Sequence, residues 1–213
     1  MRSRPCRGID ARLLTASKSG DLKQVRNLIG RGANVKTRSP KNETPLHCAA
    51  RSGNIDLVDY FLNLGADLNA RTIRGASVLR FAAQSKCRRL VRWLYEEKNA
   101  RFADQNDLNA ALFGALGKGD YLTARLLVKY GADVRAFGWR SQTTLHVAAR
   151  NGDARTVVWL VKKENLALDA KDDLGQTPLD LAANVEIREY LQKRPPGDAP
   201  SQNAADRFLN RRK

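Results

Sequence analysis

Apolar residues recur along this chain about every 33 positions, in four columns that stay in phase. One column is leucine at all six of its positions, a second is alanine at all six, and two more hold only apolar residues. A fixed period of about 20–50 residues is typical of stacked repeats, in which each repeat buries its apolar face against its neighbours. The two invariant columns are Leu13, Leu46, Leu79, Leu112, Leu145 and Leu179, and Ala16, Ala49, Ala82, Ala115, Ala148 and Ala182.

Each period contains the signals of two short helices. In the second period, Thr44 can cap a helix through its hydroxyl, and Pro45 then takes the first helical position, where its missing N–H costs nothing. Gly53 allows the chain to turn, and a stripe that includes Val58 and Phe61 follows at helical spacing. The pattern therefore predicts two short helices in each period.

The motif at the start of each first helix carries a family resemblance. Its copies are Thr44-Pro45-Leu46-His47, Thr144-Leu145-His146 and Thr177-Pro178-Leu179-Asp180, and several periods end in Gly-Ala-Asp. A period of 33 with Thr-Pro-Leu-His resembles the ankyrin repeat. The resemblance implies an all-α ankyrin-repeat solenoid of helix–loop–helix units joined by β-hairpin fingers. It also implies that the shared role of such a stack is to hold other proteins.

The repeat phase divides the chain into an arm, a repeat domain and a tail. We expect an N-terminal arm over residues 1–6 and a Pro-rich, then basic, disordered tail over residues 195–213. The second helix of the last repeat is expected to be shortened, as in a closing cap. The predicted repeats are 7–38, 39–71, 72–104, 105–137, 138–171 and 172–194.

Composition adds a strong positive charge to this picture. The 213 residues hold 38 Lys and Arg against 22 Asp and Glu, a net charge of +16. Such a charge favours acidic proteins, nucleic acid or an anionic membrane as partners, although it could also serve only solubility. The three cysteines lack a CxxC spacing, and no signal peptide or membrane span is evident, so we expect a reducing compartment, the cytoplasm or the nucleus.

Catalytic and metal-binding interpretations find little support in the sequence. The two histidines, His47 and His146, both belong to the repeat motif, and the resemblance gives them a structural hydrogen-bonding role. There is no glycine-rich phosphate loop after a strand and no cluster of metal ligands. We therefore expect no enzyme activity, no cofactor and no metal.

The resemblance also implies where a partner would bind. Contacts are expected at the finger residues, at the end of each first helix and at the last residue of each repeat, where basic residues outnumber acidic ones by eleven to five. One finger combines two aromatic residues with an arginine, which is the composition of interface hot spots, unless Trp139 folds back onto a neighbouring finger. The candidate partner-binding residues are Arg38, Lys41, Arg51, Arg71, Arg74, Phe137, Trp139, Arg140 and Arg150.

The sequence thus predicts a non-enzymatic, monomeric scaffold whose concave groove and finger tips bind an acidic segment of another protein. Electrostatic binding of nucleic acid is an alternative that rests on charge alone, because no nucleic-acid-reading motif is present. Peripheral association with an anionic membrane is a second alternative, through the tail or through a basic cluster of the third repeat. That cluster consists of Lys86, Arg88, Arg89 and Arg92.

Overall fold

The structure, a computed structural model, describes residues 8–164 and 166–193. The predicted arm and tail lie outside these residues. Every regular element in the described ranges is helical, which confirms the all-α repeat solenoid. The α-helices are α1 (Gly8–Ser19), α2 (Leu22–Gly30), α3 (Pro45–Ser52), α4 (Ile55–Asn63), α5 (Val78–Ala83), α6 (Arg88–Arg92), α7 (Gln105–Leu116), α8 (Tyr121–Lys129), α9 (Thr144–Asn151), α10 (Ala154–Glu164) and α11 (Val185–Gln192).

The described residues form two compact units that divide between Ala111 and Leu112, and we call them the N-terminal and C-terminal units. In the N-terminal unit, the first helices of successive repeats pack side by side, α1 on α3 and α3 on α5, and α3 also packs on its own second helix, α4. The leucine column forms the centre of each core: Leu46 and Leu79 in the N-terminal unit and Leu145 in the C-terminal unit are fully buried.

Helix α3 begins as the sequence predicts. Thr44 is its cap and Pro45 its first residue, and the Thr44 hydroxyl accepts a hydrogen bond from the backbone N–H of His47. The helix ends at Gly53, which adopts a left-handed conformation with φ of 80°. This is the backbone position that glycine reaches without a steric cost.

Tight turns, which we call fingers, precede most first helices, but the predicted β-hairpins are not confirmed. In the described residues, β-type pairing is limited to two isolated antiparallel bridges, Arg71–Ser77 and Phe137–Thr143. Each finger places a residue with positive φ four positions before the leucine column. These residues are Asn42 (62°), Gly75 (73°), Ser141 (54°) and Gly175 (74°).

The fourth repeat has no finger. The position that must turn is occupied by Leu108, whose branched side chain disfavours the left-handed region. The segment is helical instead: α7 begins at Gln105 and runs for 12 residues, against eight in α3 and α9. Asp104 caps it, accepting the backbone N–H of Asp107 at 2.8 Å. The row of fingers is therefore interrupted before the fourth repeat.

The last repeat is shortened mainly in its first helix, and less in its second helix, where the sequence predicted the shortening. Its second helix, α11, has eight residues, whereas its first helix is reduced to a single turn around Pro178 and Leu179. Compared with the fifth repeat, the sixth lacks residues between Leu179 and Ile187. The deletion therefore shortens the first helix and the turn that follows it. Helix α11 is still three residues shorter than α10, as the prediction of a shortened second helix requires, but the larger loss falls on the first helix.

Candidate functional site

The motif histidine of the second repeat links two repeats within the N-terminal unit. The backbone N–H of Thr44 donates to His47 Nδ1 at 3.2 Å, which leaves the hydrogen on Nε2. Nε2 then donates to the carbonyl oxygen of Ala76 in the next finger, at 3.4 Å. Burial lowers the pKa of His47 from 6.5 to about 4, with a smaller contribution from the nearby Arg38 and Arg71 charges. His47 is thus neutral and structural.

The fifth repeat uses the same arrangement in the C-terminal unit, with threonine in place of the motif proline. Thr143 caps α9, and its hydroxyl accepts a hydrogen bond from the backbone N–H of His146. Thr144 takes the proline position and donates to the carbonyl oxygen of Val134 at 2.7 Å. His146 Nε2 lies 2.9 Å from the carbonyl oxygen of Gln176 in the next finger.

The third repeat replaces the histidine link by an ion pair. Arg80 stands at the motif position of histidine, and its Nη1 lies 3.9 Å from Asp107 Oδ1. The Asp107 carboxylate is almost completely buried and also accepts the backbone N–H groups of Ser77 and Ala103. Arg80 thus reaches a carboxylate of α7, whereas the histidines of the second and fifth repeats reach the carbonyl of a finger. The sequence interpretation missed this pair.

A groove of about 380 Å³ in the N-terminal unit gathers three of the predicted partner-binding residues, Lys41, Arg51 and Arg74. Arg51 lies half-buried, with its guanidinium carbon 4.3 Å from the centre of the Phe81 ring and its Nη2 3.4 Å from a Glu43 oxygen. Lys41 and Arg74 are exposed at the finger turns. We call this space the basic groove.

The two remaining predicted residues of the N-terminal unit are not among those that line the basic groove. Arg38 is exposed at the last position of the first repeat. Arg71 is held by backbone groups: its Nη1 donates to the Ala70 carbonyl at 3.2 Å, and its Nη2 donates to the Arg101 carbonyl at 3.4 Å. Much of the hydrogen-bonding capacity of Arg71 is therefore used within the chain.

The finger before α9 presents its aromatic residues to solvent. Phe137 and Trp139 are each 71% exposed, so Trp139 does not fold back onto a neighbouring finger. The Arg140 guanidinium carbon lies 4.0 Å from the centre of a Trp139 ring. A Cβ at Gly138 would lie 2.9 Å from the Phe113 ring, so only glycine fits there without a shift of that ring.

Arg150, the last predicted residue, belongs to a polar chain in the C-terminal unit. Its Nη1 donates to Gln142 Oε1 at 2.8 Å, and Gln142 Nε2 donates to Asp172 Oδ2 at 3.0 Å. The hydrogen bond from Gln142, together with those from the Gln176 and Leu174 backbone, lowers the pKa of Asp172. Arg150 occupies the place that Arg51 has in the second repeat, with Gln142 in the place of Glu43.

Other candidate surfaces are simpler. In the basic cluster of the third repeat, Lys86, Arg88 and Arg89 are exposed, and Arg92 pairs with Glu96 at 2.8 Å. Among residues 8–164 and 166–193, no three His, Cys, Asp or Glu side chains group as metal ligands. Within the same ranges, no helix is both long enough and apolar enough to cross a membrane.

Comparison with known families agrees with this architecture. A family model described as ankyrin repeats in three copies matches residues 13–107, and a second, described as ankyrin repeats in many copies, matches residues 125–182. The chain belongs to the ankyrin-repeat family. Ankyrin repeats are a protein-binding architecture and are generally non-catalytic.

Individual relatives of this ankyrin-repeat chain cover it unevenly. The putative glutaminase 2 of Caenorhabditis elegans is 33% identical over 92 residues, which is 42% of this chain but only 15% of that protein. A chain from the complex of the predatory endopeptidase Bd0816 of Bdellovibrio bacteriovorus with the immunity protein Bd3460 matches with a TM-score of 0.66 and 23% identity. That match covers 90% of this chain and 100% of the other. It concerns the fold alone.

Proposed function

We propose that this ankyrin-repeat protein is a non-enzymatic scaffold that binds an acidic segment of another protein through its fingers and the first helices of its repeats. The observation that carries the proposal is the exposure of large apolar side chains on the finger turns. Ile73, Phe137, Trp139 and Leu174 are between 60% and 71% exposed, although the core of each unit is well filled. They are four of the seven large apolar side chains exposed among the described residues, and aromatic residues in particular dominate the energetics of protein interfaces.

Charge supports the acidic character of the proposed partner. Four cationic side chains and one carboxylate line the basic groove, and Arg38 is exposed nearby, where its charge acts on His47. Complementary charges steer a partner toward its site and select against partners of the same sign. The nucleic-acid alternative has only the net charge in its favour, since the aromatic residues of the one finger, Phe137 and Trp139, do not form a series on which successive bases could stack.

A charge-reversal experiment tests the proposal. Arg38, Lys41 and Arg74, all exposed at repeat ends or fingers, are changed together to glutamate, and proteins retained from a lysate of the source organism are compared with those retained by the unchanged chain. Arg51 and Arg71 are left intact because contacts within the chain hold both. The matched control changes the charge equally, at the exposed Arg125, Lys129 and Arg155 of α8 and α10.

The expected result is a protein retained by the unchanged chain and the control, lost from the finger variant and unaffected by nuclease. Loss of that protein on nuclease treatment would point to nucleic acid instead. Equal retention by both variants would rule out the cations of the N-terminal fingers as part of the binding surface.

A further inference from the structure

The basic groove is a defined site as well as a charged region. It lies between two consecutive fingers and two consecutive first helices, α3 and α5, all within the N-terminal unit. Its volume of about 380 Å³ falls in the range of small-ligand and side-chain pockets. The lining residues are Lys41 and Glu43 from one finger, Thr72, Ile73, Arg74 and Ala76 from the next, Arg51 from α3, and Arg80, Phe81 and Gln84 from α5 and its end.

The wall of the groove holds a guanidinium in a fixed orientation. Arg51 stacks on the buried Phe81 ring, which restricts it to a narrow range of positions. Its contact with Glu43 is long, at 3.4 Å, and its Nε is buried with no hydrogen-bond acceptor in the described residues. A planar guanidinium that is held in place and incompletely satisfied is suited to bind a carboxylate.

The cations of the groove are only partly neutralised by the chain. Arg80 reaches Asp107 at the long distance of 3.9 Å, and Glu43 is the only carboxylate that lines the groove. Lys41 and Arg74 take part in none of the ion pairs between described residues. Four like charges around one concave space raise its positive potential and favour an anionic occupant.

The C-terminal unit shows that this charge is not a consequence of the fold. The equivalent positions of the fifth and sixth repeats keep two cations, Arg140 and Arg150, but bring in three carboxylates, Asp172, Asp173 and Asp180. Leucine at position 181 replaces the aromatic ring of Phe81. The same architecture therefore carries a net positive groove in one unit and a net negative counterpart in the other.

We infer that the basic groove binds the carboxylate side chain of one aspartate or glutamate in the partner's acidic segment. Arg51 and Arg74 donate to that carboxylate, and Arg80 adds its charge. Ile73, which is 71% exposed at the rim, packs against an apolar residue that neighbours the bound carboxylate in the partner. This inference rests on the proposed function and adds the chemistry that one subsite would recognise.

The test uses a synthetic peptide in place of the unidentified partner. A fluorescein-labelled peptide of alternating glutamate and leucine, with both ends blocked, is titrated with the full chain and followed by anisotropy. Its counterpart has glutamine at every glutamate position. The Arg51 Nε–H resonance, followed by NMR, reports whether the peptide reaches the groove.

Two variants address the groove and two serve as controls. Arg74→Gln removes an exposed cation, and Arg51→Lys keeps the charge but loses the planar guanidinium. Each should weaken glutamate-peptide binding by about tenfold, as expected for a lost hydrogen bond to a charged group. Arg125→Gln and Arg155→Lys, on α8 and α10, should bind as the unchanged chain does. The glutamine peptide should not bind, and the Arg51 Nε–H resonance should shift only with glutamate.

Other outcomes would overturn the inference in distinguishable ways. Binding that both groove variants retain, but that the Arg38/Lys41/Arg74 reversal abolishes, would place the carboxylate elsewhere and leave the proposed function intact. Failure of the unchanged chain to bind the glutamate peptide would contradict the acidic-segment proposal itself. Displacement of the peptide by equimolar inorganic phosphate, or by an RNA oligonucleotide that requires the same arginines, would assign the groove to phosphate chemistry. If the Arg51→Lys variant does not fold, the affinity of the Arg74→Gln variant for the glutamate peptide decides whether the groove binds the carboxylate.

Discussion

A single buried histidine makes the stability of the N-terminal unit depend on pH. His47 is fully buried, accepts the Thr44 N–H and donates to Ala76, so the folded chain favours its neutral form. Its pKa of about 4 in the folded state lies below the ordinary value of 6.5. Above pH 6.5 the histidine is neutral in both states, and its contribution to the free energy of unfolding is complete. Between pH 6.5 and 4 only the unfolded chain takes up the proton.

The free energy of unfolding should therefore fall as the pH falls from 6.5 to 4, with up to about 3 kcal/mol attributable to His47. Urea denaturation at several pH values measures this dependence. Because carboxylates titrate in the same range, the informative quantity is the difference between the unchanged chain and His47→Gln. That difference should shrink toward acid pH, and a difference that does not change with pH would show that His47 has no titration linked to folding.

The finger before α9 has a strained backbone, and the strained residues lie next to its exposed aromatic side chains. Arg140 and Ser141 both have positive φ, 58° and 54°, as in a tight hairpin turn that favours Asn-Gly. A residue other than glycine in this region costs about 1–2 kcal/mol. Strain of this kind is found preferentially at functional sites, and here the strained Arg140 lies over Trp139.

Two variants of this finger should separate stability from binding. Replacement of Arg140-Ser141 by Asn-Gly should raise the free energy of unfolding by about 1–2 kcal/mol and weaken partner binding, because the cation over Trp139 is lost. Trp139→Ala should weaken binding by about 2 kcal/mol and leave the thermal midpoint nearly unchanged, because the side chain is mostly exposed. Calorimetry and titration with the captured partner measure both quantities. A lower thermal midpoint with unchanged affinity in Trp139→Ala would make its role structural.

The features that all repeats share could be predicted from the sequence, whereas most differences between the repeats could not. The leucine column and the Thr44 cap could be predicted because a fixed period and a local hydrogen bond determine them. The absence of a finger before the fourth repeat was not predicted, because Leu112 and Ala115 keep the repeat pattern. Leu108 could have indicated it, since leucine disfavours the positive φ that the finger turn requires. The pairing of Arg80 with Asp107 required the fold, since 27 residues separate them. The exposure of Trp139 was expected from its place on a finger, but only the structure decides against the alternative that the ring folds back.

At the scale of the whole molecule, the positive charge is widely distributed. Exposed cations occur on finger turns, as with Lys41 and Arg74, and on second helices, as with Arg88 and Arg125. Five ion pairs between described residues neutralise few of them. Such a chain is attracted to any strongly anionic surface at low ionic strength, so attraction alone does not identify a membrane-binding face.

The membrane alternative requires that the basic cluster of the third repeat bind a membrane better than other exposed cations do, and we expect that it does not. Three exposed cations of the third repeat, Lys86, Arg88 and Arg89, could together contribute about 3 kcal/mol near an anionic leaflet. We expect the chain to sediment with phosphatidylserine-containing vesicles at low salt and to be released at physiological salt. Reversal of these three residues to glutamate should reduce low-salt sedimentation no more than the Arg125/Lys129/Arg155 reversal does, because diffuse charge depends on number and not on position. A selective loss in the third-repeat variant that persists at physiological salt would establish a dedicated membrane face.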